Sequence, residues 1–92
     1  MALFDWSGSI TAGTTAQSLM VANPLRSGFS IQNTSSADLW FNEMGATAVA
    51  ASPSIKVAAG TTYTTQYRQP CPYAVSIYGG TTGQTFSVRE WV

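Results

Sequence analysis

The side chains that could do chemistry in this chain are four carboxylates and one thiol: Asp5, Asp38, Glu43, Glu90 and Cys71. A glycosidase needs only two acids, one to protonate the leaving group and one to act as base or nucleophile. Most acid pairs in a small domain are instead solvated or bonded to a nearby arginine, and Glu90 has Arg89 beside it in the sequence. We therefore expect no glycoside hydrolysis.

The remaining catalytic signals are also weak. Histidine, the commonest general base and a usual zinc or copper ligand, is absent. Cys71 lies between two prolines with no histidine to activate it, so we expect a partly buried small side chain. The glycine-rich segment 79–83 lacks the lysine of a phosphate-binding loop, and the acids at 38 and 43 lack the alternating ligands of a calcium loop. The sequence predicts no enzyme, no metal site and no cofactor.

The charge of the chain argues against several classes of partner. Four basic residues balance four acidic ones and are scattered, so we expect neither nucleic acid nor a membrane as partner. Only 9% of the residues are charged, against about 25% in an average soluble domain. A weakly charged surface does little to repel a partner, and a small domain without an internal disulfide commonly gains stability by oligomerising. We expect a homo-oligomer, a dimer or a trimer.

The elements that position these residues show the period of two that is typical of β-strands. The clearest stretch is 26–43, where two alternating segments, 29–32 and 39–42, flank the polar segment 33–38. Short polar side chains bond their own backbone and favour a turn. The pattern predicts a β-hairpin with one apolar face.

Alternation and turn residues predict further strands in the rest of the chain. Further strands are predicted at 3–10, 17–22, 54–57, 63–67, 74–78 and 85–92, and 44–53 is read as a long connection that could close one helical turn. Prolines at 24, 70 and 72 interrupt pairing. Residues 1–92 are therefore predicted to form a single all-β domain, an antiparallel sandwich or small barrel of seven to eight short strands, with jelly-roll and immunoglobulin-like orders both open.

The N-terminal residues 1–8 are open to two interpretations. They either pair as a strand within their own domain or form an extended arm that adds to a partner's sheet edge. They lack the basic region of a signal peptide, and no apolar stretch approaches the roughly 18 residues of a membrane span. We expect synthesis in the cytoplasm.

Alternation also predicts which aromatic side chains face outward. If the apolar residues of the strands point inward, Trp40, Tyr78, Arg89 and Trp91 point to the opposite faces. Outward aromatic residues are enriched at the centres of protein interfaces. With Phe4 and Trp6 of the N-terminal segment they form the predicted protein–protein interface. The alternative is that the rings merely cover sheet edges.

The order of several short segments resembles that of small β-rich virion proteins of tailed bacteriophages and prophages. The residues that carry this resemblance are Arg26, 29–33, 35–36, 39–43, Gly45, 55–57, 59–60, 75–79, 83–84 and 89–91. The resemblance implies a structural role, as a decoration or cement protein that binds the major capsid protein or other virion proteins on the outer capsid surface. Its alternative is a tail, baseplate or head-fibre component with a receptor-binding or glycan-binding role.

Overall fold

The computed structural model describes residues 2–66 and 70–92, and within them the chain is built of β-strands without a helix. The strands are Leu3–Asp5 (β1), Gly8–Ser9 (β2), Gln17–Met20 (β3), Gly28–Asn33 (β4), Leu39–Asn42 (β5), Ile55–Val57 (β6), Thr62–Thr64 (β7), Val75–Gly79 (β8) and Thr85–Trp91 (β9).

The strands form two antiparallel sheets packed face to face. The first sheet has the order β1-β9-β4-β7, with β2 also paired to β9, and the second has the order β3-β8-β5-β6. Consecutive strands mostly cross from one sheet to the other. This is the strand order of a jelly roll and not of an immunoglobulin-like sandwich, which resolves the alternative that the sequence left open.

Strands β1 and β2 are two parts of one interrupted strand along β9. Phe4 lies opposite Glu90 and Gly8 lies opposite Phe86 in the same register. Between them the backbone N–H of Trp6 still donates to the carbonyl of Val88 at 3.0 Å. The predicted opening strand is therefore present. Counted as one strand, it leaves eight strands in the part of the chain that the structure describes.

The core between the sheets contains the apolar residues that alternation assigned to it. All ten residues predicted to point inward are buried or packed against the buried cluster: Phe29, Ile31, Leu39, Phe41, Ile55, Val57, Val75, Ile77, Phe86 and Val88. Three aromatic rings join the sheets, with centroids of Phe41 and Tyr63 4.9 Å apart. The thin core expected of a short chain is thus filled by large side chains.

The predicted hairpin over 29–42 is wrong, although both of its strands exist. β4 pairs with β7 and β9, whereas β5 pairs with β6 and β8 in the other sheet. The side-chain amide of Asn33 donates to the carbonyls of Ala37 at 2.7 Å and of Val57 at 2.8 Å, which turns the chain across the sandwich. Phe29 and Phe41 consequently meet edge to face across the core, 5.8 Å apart.

Two predicted strands end earlier in the structure than predicted, and the strand predicted over 17–22 is β3, which ends at Met20. The strand predicted over 63–67 is β7, which ends at Thr64, and Tyr67 lies outside the described residues, as do Gln69 of the predicted break and Met1 of the predicted arm. The segment 44–53 is a long connection without the helical turn.

Candidate interaction surface

The two ends of the sandwich differ in chemical character. We call the end formed by 21–27, 43–54, 65–66 and 70–74 the apolar end, and the end formed by 11–16, 34–38, 58–61 and 80–84 the polar end. Strand register places these segments together, because Gly28 lies opposite Trp91 at one end and Asn33 lies opposite Phe86 at the other.

Exposed large hydrophobic side chains occur only at or beside the apolar end. In the described parts of the chain there are seven: Leu3, Phe4, Val21, Leu25, Met44, Val49 and Tyr73. Five lie on the loops of the apolar end, and Leu3 and Phe4 lie on β1 beside it. The most exposed is Leu25, at 74%. The loops of the polar end carry Thr, Ser, Gly, Ala and single Asp and Gln residues instead.

A buried arginine fixes the loops of the apolar end. Arg26 is 2% exposed, and its guanidinium donates to the carbonyls of Cys71 at 2.8 Å, Tyr73 at 2.7 Å and Val21 at 2.6 Å. Its Nε forms an ion pair with Glu90. Because Arg26 binds three carbonyls and a carboxylate at once, the backbones of Val21, Cys71 and Tyr73 are held in one arrangement.

Glu90 points away from Arg89, its neighbour in sequence, and into the core. The expected pairing of Glu90 with Arg89 does not occur, because consecutive side chains of a strand point to opposite faces. Glu90 points inward to Arg26 and also accepts a hydrogen bond from the indole of Trp6 at 3.1 Å. Arg89 points outward and forms an ion pair with Asp5 at 2.8 Å.

A cavity of about 320 Å³ lies at the apolar end and is lined by Met44 and Tyr73. Tyr63, Ile55 and the carboxylate-bearing Glu43 also line it. The Oε2 atom of Glu43 is buried without a hydrogen-bond donor among the described residues. Burial raises the pKa of Glu43, an effect that a hydrogen bond from its own backbone partly offsets.

The polar end is fixed by two neutral amides instead of an ion pair. The side-chain amide of Asn33 donates to the carbonyls of Ala37 and Val57. The side-chain amide of Gln84 donates to the carbonyls of Ala37 at 3.2 Å and Asp38 at 3.0 Å. Asn33 is fully buried and Gln84 is 6% exposed. Both residues satisfy loop carbonyls that would otherwise lack donors.

The outward residues predicted for the interface lie on two different faces. Trp40 and Tyr78 are cross-strand neighbours on the outer face of the β3-β8-β5-β6 sheet, both half-buried, and Lys56 lies beside Trp40. On the other sheet the indole of Trp91 lies directly over Gly28, where an added Cβ would approach the ring to 2.5 Å. The structure thus pairs Trp40 with Tyr78 on one sheet and places Arg89 and Trp91 two residues apart on the outer face of β9 in the other.

Phe4 and Trp6, the N-terminal residues of the predicted interface, lie in different environments. Phe4 is exposed at 46%, whereas Trp6 packs against the core and donates to Glu90. Residues 3–5 and 8–9 pair with β9 of their own chain, and whether residues 1–8 also act as an arm toward a partner stays a prediction. Whether any of the six residues contacts a partner stays a prediction.

No group of three or more acidic or cysteine side chains that could hold a metal is present in 2–66 and 70–92. Cys71 is buried, and burial raises the pKa of its thiol above the ordinary value, which disfavours the reactive thiolate. Nor does the described part contain a helix long and apolar enough to cross a membrane.

Sequence reasoning missed Arg26 as the organiser of the apolar end. Arginine is almost never fully buried unless paired, and no acidic residue near Arg26 in the sequence indicated a buried partner. A usable signal was the inward register of Glu90, which follows Phe86 and Val88 on the inner face and requires a buried cation.

Comparisons of the chain with protein-family models, with curated proteins and with solved structures found no match.

Proposed function

We propose that this chain is a non-enzymatic structural protein of a tailed-phage virion, a decoration or cement protein on the outer capsid surface. In this role it oligomerises and docks on the major capsid protein or another virion protein through its apolar end. The observation that carries the proposal is the concentration of all seven exposed large hydrophobic side chains at or beside one end of the sandwich. Contiguous exposed apolar surface on a soluble domain marks interaction sites.

The construction of the apolar end supports a docking role. The backbones of its loops at Val21, Cys71 and Tyr73 are held by the Arg26 guanidinium, so little conformational freedom remains to be lost there on association. The resemblance to small virion proteins supplies the identity of the partner, and the jelly roll is a fold found in viral capsid proteins and in lectins alike. The fold alone therefore does not choose between a capsid and a glycan as partner.

The test uses particles produced without the protein. Wild-type protein added back is expected to co-sediment with the particles and raise their resistance to heat. The double variant Leu25→Ser and Tyr73→Ser should remain folded and fail to bind, because it removes exposed apolar area from the docking surface. The matched control is Ser36→Ala at the polar end, which should bind like wild type. Binding by the double variant equal to wild type would contradict the proposal.

A second candidate is a receptor-binding or glycan-binding component of a tail, baseplate or head fibre. The paired rings of Trp40 and Tyr78 on an outer sheet face favour it, because aromatic faces can stack on sugar rings. Binding to a glycan array that is lost in both Trp40→Ala and Tyr78→Ala, and retained in the Leu25→Ser and Tyr73→Ser variant, would select this function over decoration.

A further inference from the structure

We infer that the protein partner of the apolar end inserts a lysine side chain into the cavity beside Glu43. This inference rests on the proposed docking role of that end and adds the chemistry that its partner must carry. The site is the cavity of about 320 Å³ described above, whose lining includes the exposed residues Met44 and Tyr73. It therefore lies within the proposed docking surface.

The charges of the chain point to a cation as occupant. Asp5 pairs with Arg89 at 2.8 Å, Asp38 lies 4.0 Å from Lys56, and Glu90 pairs with Arg26. Glu43, the fourth carboxylate, has no ion-pair partner within 2–66 and 70–92, and its Oε2 lacks a donor there. A partly buried carboxylate without a donor is unfavourable, and an incoming cation would relieve it.

The walls of the cavity favour a long aliphatic stem that ends in a point charge. Ile55, Met44 and the ring of Tyr63 offer apolar surface along which the methylene groups of a lysine can lie. Only one oxygen of Glu43 is buried without a donor, which suits a single ammonium contact better than the two-pronged fork of a guanidinium.

The protonation behaviour of the site agrees with this geometry. Burial raises the pKa of Glu43, and the negative charge of Glu43 together with burial raises the pKa of Tyr63. Burial is the larger cause for Tyr63. A bound ammonium would favour the ionised carboxylate and lower the pKa of Glu43. Binding should therefore weaken as the pH falls and Glu43 becomes protonated.

The binding test uses n-butylamine as the probe for a lysine side chain and n-butanol as its neutral isostere. Chemical shifts of the Met44 methyl and the Glu43 side-chain carboxyl are followed by NMR during titration of the full chain. We expect saturable shifts with n-butylamine, at least tenfold weaker apparent binding with n-butanol, loss of the response in Glu43→Gln and its retention in Asp38→Asn. Equal binding of the alcohol, or retention in Glu43→Gln, would overturn the inference.

Arg68 is the one basic residue outside the described residues. The variant Arg68→Gln tests whether this arginine competes with n-butylamine for Glu43. We expect Arg68→Gln to bind n-butylamine with the affinity of the wild type. Binding that strengthens tenfold or more in this variant would overturn the inference, because the chain's own arginine would then compete for Glu43.

The source of the lysine is tested on particles and on the free protein. Glu43→Gln should weaken particle binding at least tenfold, Asp38→Asn should not, and the oligomeric state measured by sedimentation should be unchanged by Glu43→Gln. Dissociation of an oligomer by both Glu43→Gln and Lys56→Gln would overturn the inference by showing that a second copy supplies the lysine.

Failure of the inference and failure of the proposed function are distinguishable. Normal particle binding by Glu43→Gln, combined with loss of binding in Leu25→Ser and Tyr73→Ser, would reject the lysine and leave the docking role standing. Normal binding by both variants would reject both.

Discussion

The two ends of the sandwich solve the same structural problem with different chemistry. At each end the chain crosses repeatedly between the sheets, and loop carbonyls need donors inside the protein. The polar end uses the neutral amides of Asn33 and Gln84, whereas the apolar end uses the charged guanidinium of Arg26 balanced by Glu90. The end with the ionic support is also the end with the exposed hydrophobic side chains.

This difference shows how a small domain can present apolar side chains without letting them collapse into its own core. A flexible loop with leucine or tyrosine would fold inward to bury them. The Arg26 contacts fix the backbone at Val21 and Tyr73 and keep these side chains outside. The polar end has no such surface to hold open, and neutral amides suffice there.

The largest expected effect comes from removing the charged support of the apolar end. Arg26→Met leaves Glu90 buried without its cation, and we expect a loss of about 3–5 kcal/mol in the free energy of unfolding, measured with urea. The double variant Arg26→Met and Glu90→Gln should recover part of that loss, because it removes the unpaired charge. A double variant no more stable than the single one would show that the lost carbonyl donors dominate.

The matching change at the polar end should be smaller. Asn33→Ala removes two donated hydrogen bonds to Ala37 and Val57, and the expected loss is about 1–3 kcal/mol because no charge is left unpaired. The exposed Ser36→Ala serves as control and should stay within about 0.5 kcal/mol of wild type. A loss from Asn33→Ala that exceeds the loss from Arg26→Met would reverse the ranking of the two ends.

A smaller effect on stability is expected from Glu43, and its size depends on pH. Because the folded state raises the pKa of Glu43, the folded state holds its proton more tightly, and stability falls as the pH rises above the unfolded value. Glu43→Gln should therefore stabilise the protein at pH 7, by less than about 1 kcal/mol for a partly exposed group, and have no effect near pH 3.

Asp5 offers a control for Glu43, because its pKa is shifted in the opposite direction. Hydrogen bonds from Ser7, with a lesser effect of Arg89, lower the pKa of Asp5, so its contribution is present at neutral pH and lost as the pH falls through the folded pKa. Asp5→Asn should lower the thermal midpoint slightly at pH 7 and leave it unchanged in acid. A change in stability at pH 7 of the same sign in Asp5→Asn and Glu43→Gln would contradict the opposite pKa shifts of the two carboxyls.

The smallest effect on stability is expected from the exposed side chains themselves. Leu25→Ser together with Tyr73→Ser should change the free energy of unfolding by no more than about 0.5 kcal/mol at each site, because both side chains are largely in water. Binding of a hydrophobic dye to the native protein should fall in this variant and stay unchanged in Ser36→Ala. An unchanged dye signal would show that the apolar end is not the accessible apolar surface of the molecule.

Much of the fold was predictable because the alternation of apolar and polar residues is a local property. Phe29, Ile31, Val75 and Ile77 were assigned to the inner face and are buried there. The hairpin was not predictable in the same way, because a period of two tells which face a residue occupies and not which strand lies beside it. The candidate docking surface was less accessible still, since Val21, Leu25 and Tyr73 lie in loops without a period.

The sequence by itself determined an all-β chain, its inward-facing residues and an inventory poor in catalytic groups, because composition and alternation act within a few residues. Only the tertiary structure decided that β4 and β5 face each other across the core, that Arg26 joins Glu90, and that the exposed hydrophobic residues gather at one end. These features depend on contacts between segments far apart in the chain, where the competition among possible pairings is settled by burial and hydrogen bonding of the whole molecule.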